Sequence, residues 1–225
     1  MIYRNRSEAG KYLATKLLNY ANRHDVLVLA LPRGGVPVGF EVAKALDSPL
    51  DIFCVRKLGV PGYEEHAMGA IATGDIRVLN EETLDYLDIP HEVIDLVAAV
   101  EMKELERRER TYRGNQPDPE VRGKTVILVD DGLATGSTMR AAVEALRQKE
   151  PSRIVVAVPV AAPDTCDEYR MGVDEIVCAA IPEPFFGVGE WYLDFTQTSD
   201  EEVRELLDAA RANVADRNNQ ELVPV

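Results

Sequence analysis

The sequence predicts an α/β fold, a parallel sheet flanked by helices, and three observations carry that prediction. Short continuous apolar runs recur along the chain, at Val26–Leu31, Leu50–Val55, Thr125–Val129, Arg153–Val158 and Glu175–Ala179. Runs without polar alternation mark strands buried on both faces. Segments with helical spacing lie between them, and alternating strands and helices favour a parallel sheet covered on both sides. Finally, the residues after these strands are glycines, acids and cations. Right-handed crossovers put the strand C-termini on one edge, and open α/β sheets bind ligands there. The residues following strands 26–31, 50–55, 125–129 and 175–179 are therefore expected to converge.

The elements follow in order. Ser7 to about Asn22 carries Tyr12, Leu13, Leu17 and Leu18 at helical spacing. A helix from Pro37 to Leu46 has proline at its first position, where the missing N–H is harmless. Gly59 to Gly74 reads as a long polar loop, with a short hairpin reaching Leu79. Glu81–Leu87 is a helical turn. His91–Tyr112 is a long helix whose charge run, Glu101–Arg110, suits a solvated face with i,i+4 pairs. Helices at 137–149 and 164–171 complete the alternation. Ile181–Thr198 departs from it, rich in proline, glycine and aromatics. Ser199 and Glu202 match a capping box for a last helix, and the polar tail from about Asp216 is expected to fray.

Composition narrows the function. The chain has 225 residues, 46% hydrophobic and 28% charged, typical of a globular protein. No apolar run approaches the roughly 20 residues needed to cross a bilayer, and no apolar segment of a signal peptide follows Arg4 and Arg6. A membrane role is not expected. Net charge is −14, which disfavours nucleic acid, since that binding rests on phosphate neutralisation by Lys and Arg. A polyanionic ligand must then be held by a few local cations. Cys54, Cys166 and Cys178 suit neither a disulfide framework nor a zinc site. They read as free thiols, which implies a reducing, cytoplasmic setting.

The most informative stretch is Val126-Ile127-Leu128-Val129-Asp130-Asp131-Gly132-Leu133-Ala134-Thr135-Gly136-Ser137-Thr138. A strand delivers adjacent carboxylates, a small-residue turn follows, and a helix opens. Helix N-termini offer unpaired N–H groups and a positive dipole end. Hydroxyls of Thr135, Ser137 and Thr138 add donors. A Walker loop is excluded, because Gly132 and Gly136 are separated by three residues and no lysine follows. The dinucleotide fingerprint is absent as well. This stretch resembles the signature of type I phosphoribosyltransferases. The resemblance implies that Asp130 and Asp131 bind the ribose of phosphoribosyl pyrophosphate (PRPP), while 132–138 wrap its 5′-phosphate. It also implies that family's fold, with a small hood beside the sheet.

Other segments fit the same reading. Arg33-Gly34-Gly35, after the first strand, suits a backbone cradle for phosphate oxygens and resembles the family's pyrophosphate loop. Arg56 and Lys57 can neutralise a pyrophosphate, and with Pro61-Gly62 they resemble an element of adenine phosphoribosyltransferases. In that subfamily a mobile loop with an acid follows. Here it contains Glu64, Glu65 and His66, any of which could move a proton or simply be solvated. The aromatic segment 185–195 has two readings. It can be a small satellite core, or a base-binding hood resembling that of hypoxanthine-type enzymes. Phe186, Trp191 and Asp194 are its base-binding candidates.

The expected organisation is a core over 1–180, to whose hood the N-terminal helix can contribute, a hood segment over 181–198, and a C-terminal helix with a frayed tail over 199–225. The expected reaction moves 5-phosphoribosyl from PRPP to a nitrogenous base and releases pyrophosphate, as in nucleotide salvage. Catalytic candidates are Asp130, Asp131, Glu64 and Glu65, and Mg²⁺ is the expected cofactor, carried by PRPP near the two aspartates. Homodimers are common among such proteins. The alternative is a PRPP-binding regulator without turnover. An acidic surface without a basic DNA-binding element weighs against it.

Overall fold

The computed structural model describes residues 1–170 and 172–221, with the side chains of Glu64, Glu65 and 215–221 left aside. The chain forms two compact units. The first comprises Met1–Ile52, Val121–Gly136 and Pro151–Val225, and the second comprises Phe53–Glu120 and Ser137–Glu150.

The first unit holds a five-stranded sheet. Its strands are β1 (Val26–Ala30), β2 (Leu50–Ile52), β6 (Thr125–Val129), β7 (Arg153–Val160) and β8 (Glu175–Ala180), in the order β2-β1-β6-β7-β8. Every pairing is parallel. Strands β1 and β6 are buried along their whole length, which explains their unbroken apolar runs. Strand order reverses between them. From β1 the chain builds outward to β2, and from β6 it builds the other way to β7 and β8. Such a switch point opens a crevice at the strand C-termini. Helices α1 (Arg6–Ala14) and α2 (Gly35–Leu46) pack against each other closely. A Cβ at Gly10 would lie 2.7 Å from the Val38 carbonyl oxygen. Helices α6 (Pro163–Tyr169) and α7 (Asp200–Glu221) complete this unit.

The second unit holds an antiparallel sheet of β3 (Val55–Val60), β4 (Tyr63–Ala72) and β5 (Ile76–Leu79). Helices α3 (Glu81–Leu87), α4 (His91–Arg113) and α5 (Ser137–Arg147) accompany it. Helix α5 buries Met139, Ala142, Val143, Ala145 and Leu146, and its neighbours are β3, β4 and β5.

Several expectations need correction. The run Leu50–Val55 is not one strand, because β2 ends at Ile52 and Val55 opens β3 in the other sheet. The predicted loop 59–74 is mostly strand. Leu58 and Val60 are buried on β3, and Met68, Ala70, Ile71 and Ala72 on β4. Small residues, glycines and charged residues interrupt the apolar pattern in the sequence. Pro61-Gly62 is only the turn, with Gly62 at φ +82°. The first helix is shorter than expected, ending at Ala14 before a 3-10 turn at Leu18–Tyr20. Helix α2 begins at Gly35, so Pro37 is its third residue. Helix α7 runs from Asp200 to Glu221, and the end of the tail expected to fray lies outside the described residues. Cys166 and Cys178 are not free thiols. They form a disulfide joining α6 to β8, and Cys54 is buried outside that bond. A helix turning back beside the next strand brings the two together, which their spacing does not reveal. The inference of a reducing setting loses its basis in unpaired cysteines.

Candidate active site

The site is built where β1 and β6 end side by side, Ala30 in register with Val129. The Leu31 N–H donates to the Val129 carbonyl at 2.9 Å, so the two following loops start in contact. The Arg33-Gly34-Gly35 loop presses directly on the two acids. A Cβ at Gly34 would collide with Asp131 Oδ2 and lie 2.7 Å from Asp131 Cγ. At Gly35 it would lie 2.7 Å from the Val129 carbonyl oxygen and 3.0 Å from Asp130 Cα. Glycine is needed at both positions for room, not for an unusual backbone. The predicted pyrophosphate loop and ribose acids thus meet, as the convergence of strand ends requires. The Pro32–Arg33 peptide in this loop is cis.

The loop after Asp131 is sewn to the sheet edge. The Leu133 N–H donates to the Val160 carbonyl, and the Ala162 N–H donates to the Leu133 carbonyl, both at 2.9 Å. Helix α6 takes two more carbonyls. Thr165 Oγ1 donates to Ala134 O at 2.5 Å, and the Tyr169 hydroxyl donates to Gly136 O at 2.6 Å. In a trans peptide the N–H points opposite to the carbonyl. The amides of Ala134, Thr135 and Ser137 are therefore directed away from this bracing side, which is the orientation an anion cradle needs. Gly136 has φ +73°, and a Cβ there would lie 2.8 Å from the Tyr169 ring. Ser137 and Thr138 are the first residues of α5.

The two acids differ. Asp130 Oδ1 accepts from the Asp131 backbone N–H at 2.8 Å. Burial raises its carboxyl well above the ordinary range, and the neighbouring Asp131 charge adds to the effect. Asp131 is also raised by burial, but less, because Arg6 opposes it. Arg6 Nε donates to Asp131 Oδ2 at 2.8 Å. The Tyr192 hydroxyl donates to the Asp131 backbone carbonyl at 2.6 Å. Burial, and then the Asp131 charge, hold that phenol strongly protonated.

Arg6 and Tyr192 come from opposite ends of the chain, and backbone bonds unite them. The Tyr3 N–H donates to the Trp191 carbonyl, and the Leu193 and Asp194 N–H groups donate to the carbonyls of Tyr3 and Arg4. Asn5 caps α1, its side chain accepting from the Glu8 N–H at 3.0 Å. That cap puts Arg6 at the first helical position, facing the acids.

Most aromatics of 185–195 are occupied in packing. Tyr3, Ala9, Val160 and Tyr192 form a small core, with Phe185, Val188 and Trp191 against it. The indole N–H of Trp191 is buried without an acceptor among the described residues. Phe195 stacks on Tyr192, ring centroids 5.1 Å apart. Phe186, by contrast, is 79% exposed. Asp194 is exposed and accepts from the Thr196 N–H and hydroxyl, which lowers its carboxyl below the ordinary range.

The remaining candidates have other partners or lie elsewhere. Arg33 pairs with Asp200 of α7 at 3.4 Å. Arg56 and Lys57 lie within β3, not after a strand as the sequence reading had them, and Arg56 pairs with Glu101 of α4 at 2.6 Å. Glu64 and Glu65 belong to β4, and their side chains lie outside the described residues. Residues that sequence reasoning missed are Arg6, Thr165 and Tyr169. Nothing in the sequence ties Arg6 to an acid 125 residues away.

A parallel sheet with a Gly-Gly loop and paired acids at its switch point defines the type I phosphoribosyltransferase class of fold. Comparison with known proteins agrees. The model of the phosphoribosyl transferase domain matches residues 1–193, and the chain belongs to that family. Proteins of two Mycobacterium tuberculosis strains, CDC 1551 and H37Rv, carry the provisional name phosphoribosyl transferase. They are 41% identical to the chain over 215 residues, covering 96% of it and 48% of their own length. The chain thus spans about half the length of these curated relatives. The crystal structure of TT1426 from Thermus thermophilus is 40% identical, with a TM-score of 0.83 over 92% of this chain and 98% of that one.

Proposed function

We propose that the chain transfers the 5-phosphoribosyl group of PRPP to a nitrogenous base, releasing pyrophosphate, in nucleotide salvage. One observation carries this reading. The Gly34-Gly35 loop and the Asp130-Asp131 pair are in direct contact beside a loop whose carbonyls are pinned away from the crevice.

In this reading Asp131 and Asp130 hold the ribose hydroxyls. Positive charge that builds at the anomeric carbon, as in glycoside cleavage, is stabilised by their carboxylates. The amides of 132–137, with the Thr135, Ser137 and Thr138 hydroxyls, bind the 5′-phosphate. Gly34 and Gly35 approach the pyrophosphate through their backbone, and Arg33 exchanges Asp200 for it. The pyrophosphate roles of Arg56 and Lys57 rest on the family resemblance alone, as do the proton-transfer roles of Glu64 and Glu65. Base contacts are assigned to the exposed Phe186 and Asp194, while Trp191 serves the packing beneath them.

Mg²⁺ is commonly held by one or two carboxylates together with substrate phosphates. Asp130 and Asp131 fit that donor set. In this reading the ion would arrive with PRPP, beside these two carboxylates. When bound, it neutralises charge on the leaving pyrophosphate.

The test is pyrophosphate release from PRPP and Mg²⁺ with a panel of purines, pyrimidines and amines. Turnover with one member supports the transferase. PRPP binding without turnover on any member supports the regulator, and absence of PRPP binding overturns both.

A further inference from the structure

Arg6 is the one cation that touches the paired acids among the described contacts, and it is held from four sides. Its Nε donates to Asp131 Oδ2 at 2.8 Å, and its Nη1 donates to the Thr196 carbonyl at 2.8 Å. Its guanidinium carbon lies 4.0 Å from the centre of the Phe195 ring and 5.9 Å from that of Tyr192. The side chain is only 11% exposed, against 16% for Asp131. Cation–π support and two directed bonds give a guanidinium little freedom. Asp131 is confined in turn. Arg6 binds Oδ2, Gly34 closes the space beside that oxygen, and Tyr192 holds the backbone carbonyl. The carboxylate cannot rotate without breaking the Arg6 bond or striking the Gly34 backbone. Arg6 also lines a polar cavity of about 370 Å³, shared with Asn5, Ser7, Asp194, Thr196 and Gln197.

We propose that Arg6 is the positioning residue for Asp131, fixing which edge of that carboxylate meets the ribose. The inference rests on the reading of Asp131 as a ribose-binding acid. Arg6 itself spans Asp131 and the wall of the cavity, so it ties the donor acid to segment 194–197. A Lys at this position keeps the charge, but a single ammonium cannot hold Asp131 and Thr196 with the planar fork of Arg.

The test is calorimetric titration of PRPP with Mg²⁺, without base, into wild type, Arg6→Gln, Arg6→Lys, Asp131→Asn and the double variant Arg6→Gln/Asp131→Asn. Thermal unfolding of each protein accompanies the titration. Arg6→Gln is expected to weaken PRPP binding by about tenfold or more, with Arg6→Lys between it and wild type. The double variant is expected to bind no worse than Asp131→Asn, because Arg6 acts through that carboxylate and coupled residues do not add. Additive losses, or wild-type affinity in a folded Arg6→Gln, overturn the proposal. Should Arg6→Gln not fold, wild-type affinity in Arg6→Lys overturns it. Failure of the wild type to bind PRPP is a separate outcome, which overturns the ribose reading of Asp131 and this proposal with it.

Discussion

The donor loop at 130–136 and the aromatic segment at 181–198 belong to the same unit and meet at Asp131, yet they are built differently. In the donor loop the backbone carries the structure. Carbonyls of Leu133, Ala134 and Gly136 are each pinned, and the side chains needed are small. In the aromatic segment the side chains carry it. Trp191, Tyr192 and Phe195 are committed to a satellite core and to a platform for Arg6. A site made from backbone tolerates little change in conformation. A site made from packed rings tolerates little change in volume.

Four substitutions sharpen or break that contrast, from the largest expected effect down. Asp131→Asn should cut turnover by about 10²–10³-fold while circular dichroism stays native, measured by pyrophosphate release. Wild-type turnover would remove Asp131 from the site. Gly34→Ala comes next. Its Cβ must displace the Asp131 carboxylate, so PRPP affinity should fall by about tenfold or more, or about 1.4 kcal/mol, read by calorimetry. Unchanged affinity would mean that the two loops separate freely. Trp191→Ala should invert the pattern, costing about 2–3 kcal/mol in urea unfolding because packing is lost, with PRPP affinity nearly unchanged. A large PRPP effect there would erase the division of labour. Phe186→Ala should leave stability within roughly 0.5 kcal/mol, as exposed positions do. If this ring stacks on the base, the acceptor KM should rise severalfold, and an unchanged KM would assign base binding elsewhere.

A pH experiment probes the donor loop from another side. Asp130 is raised by burial, so the folded state binds its proton more tightly than the unfolded chain does. Stability must then fall as pH rises from the ordinary carboxylate pKa toward the raised one, and the cost persists at neutral pH. Asp130→Asn keeps an acceptor for the Asp131 N–H and removes the charge. Its Tm at pH 7 should exceed that of wild type, by roughly 2–4 °C per kcal/mol recovered, with a flatter profile above the ordinary carboxylate range. A lower Tm would contradict the assignment of Asp130 as a strained acid.

The same contrast explains what was legible in the sequence. Strands β1, β6 and β7 were plain because strands buried on both faces need unbroken apolar runs. The antiparallel pairing of 59–72 does not show in the sequence, because charged residues and glycines break up its apolar positions and two of the buried positions, Ala70 and Ala72, are alanine. The 130–138 motif stands out in the sequence because backbone cradles need contiguous glycines and hydroxyls, and the structure braces its carbonyls. Arg6, Thr165 and Tyr169 do not stand out, because each reaches its partner only after the sheet is assembled. The Cys166–Cys178 bond escaped for the same reason.

The division of the chain at Gly136 also governs how the molecule can be dissected. The second unit is made of two stretches, 53–120 and 137–150, so the polypeptide passes between units four times. Cutting out 53–120 alone would strip α5 of the strands that cover Met139, Val143 and Leu146. A gene fragment that encodes only one stretch is therefore half of a folding unit. Exchange of this unit between relatives requires two coordinated segment replacements with four junctions, one of which follows Gly136.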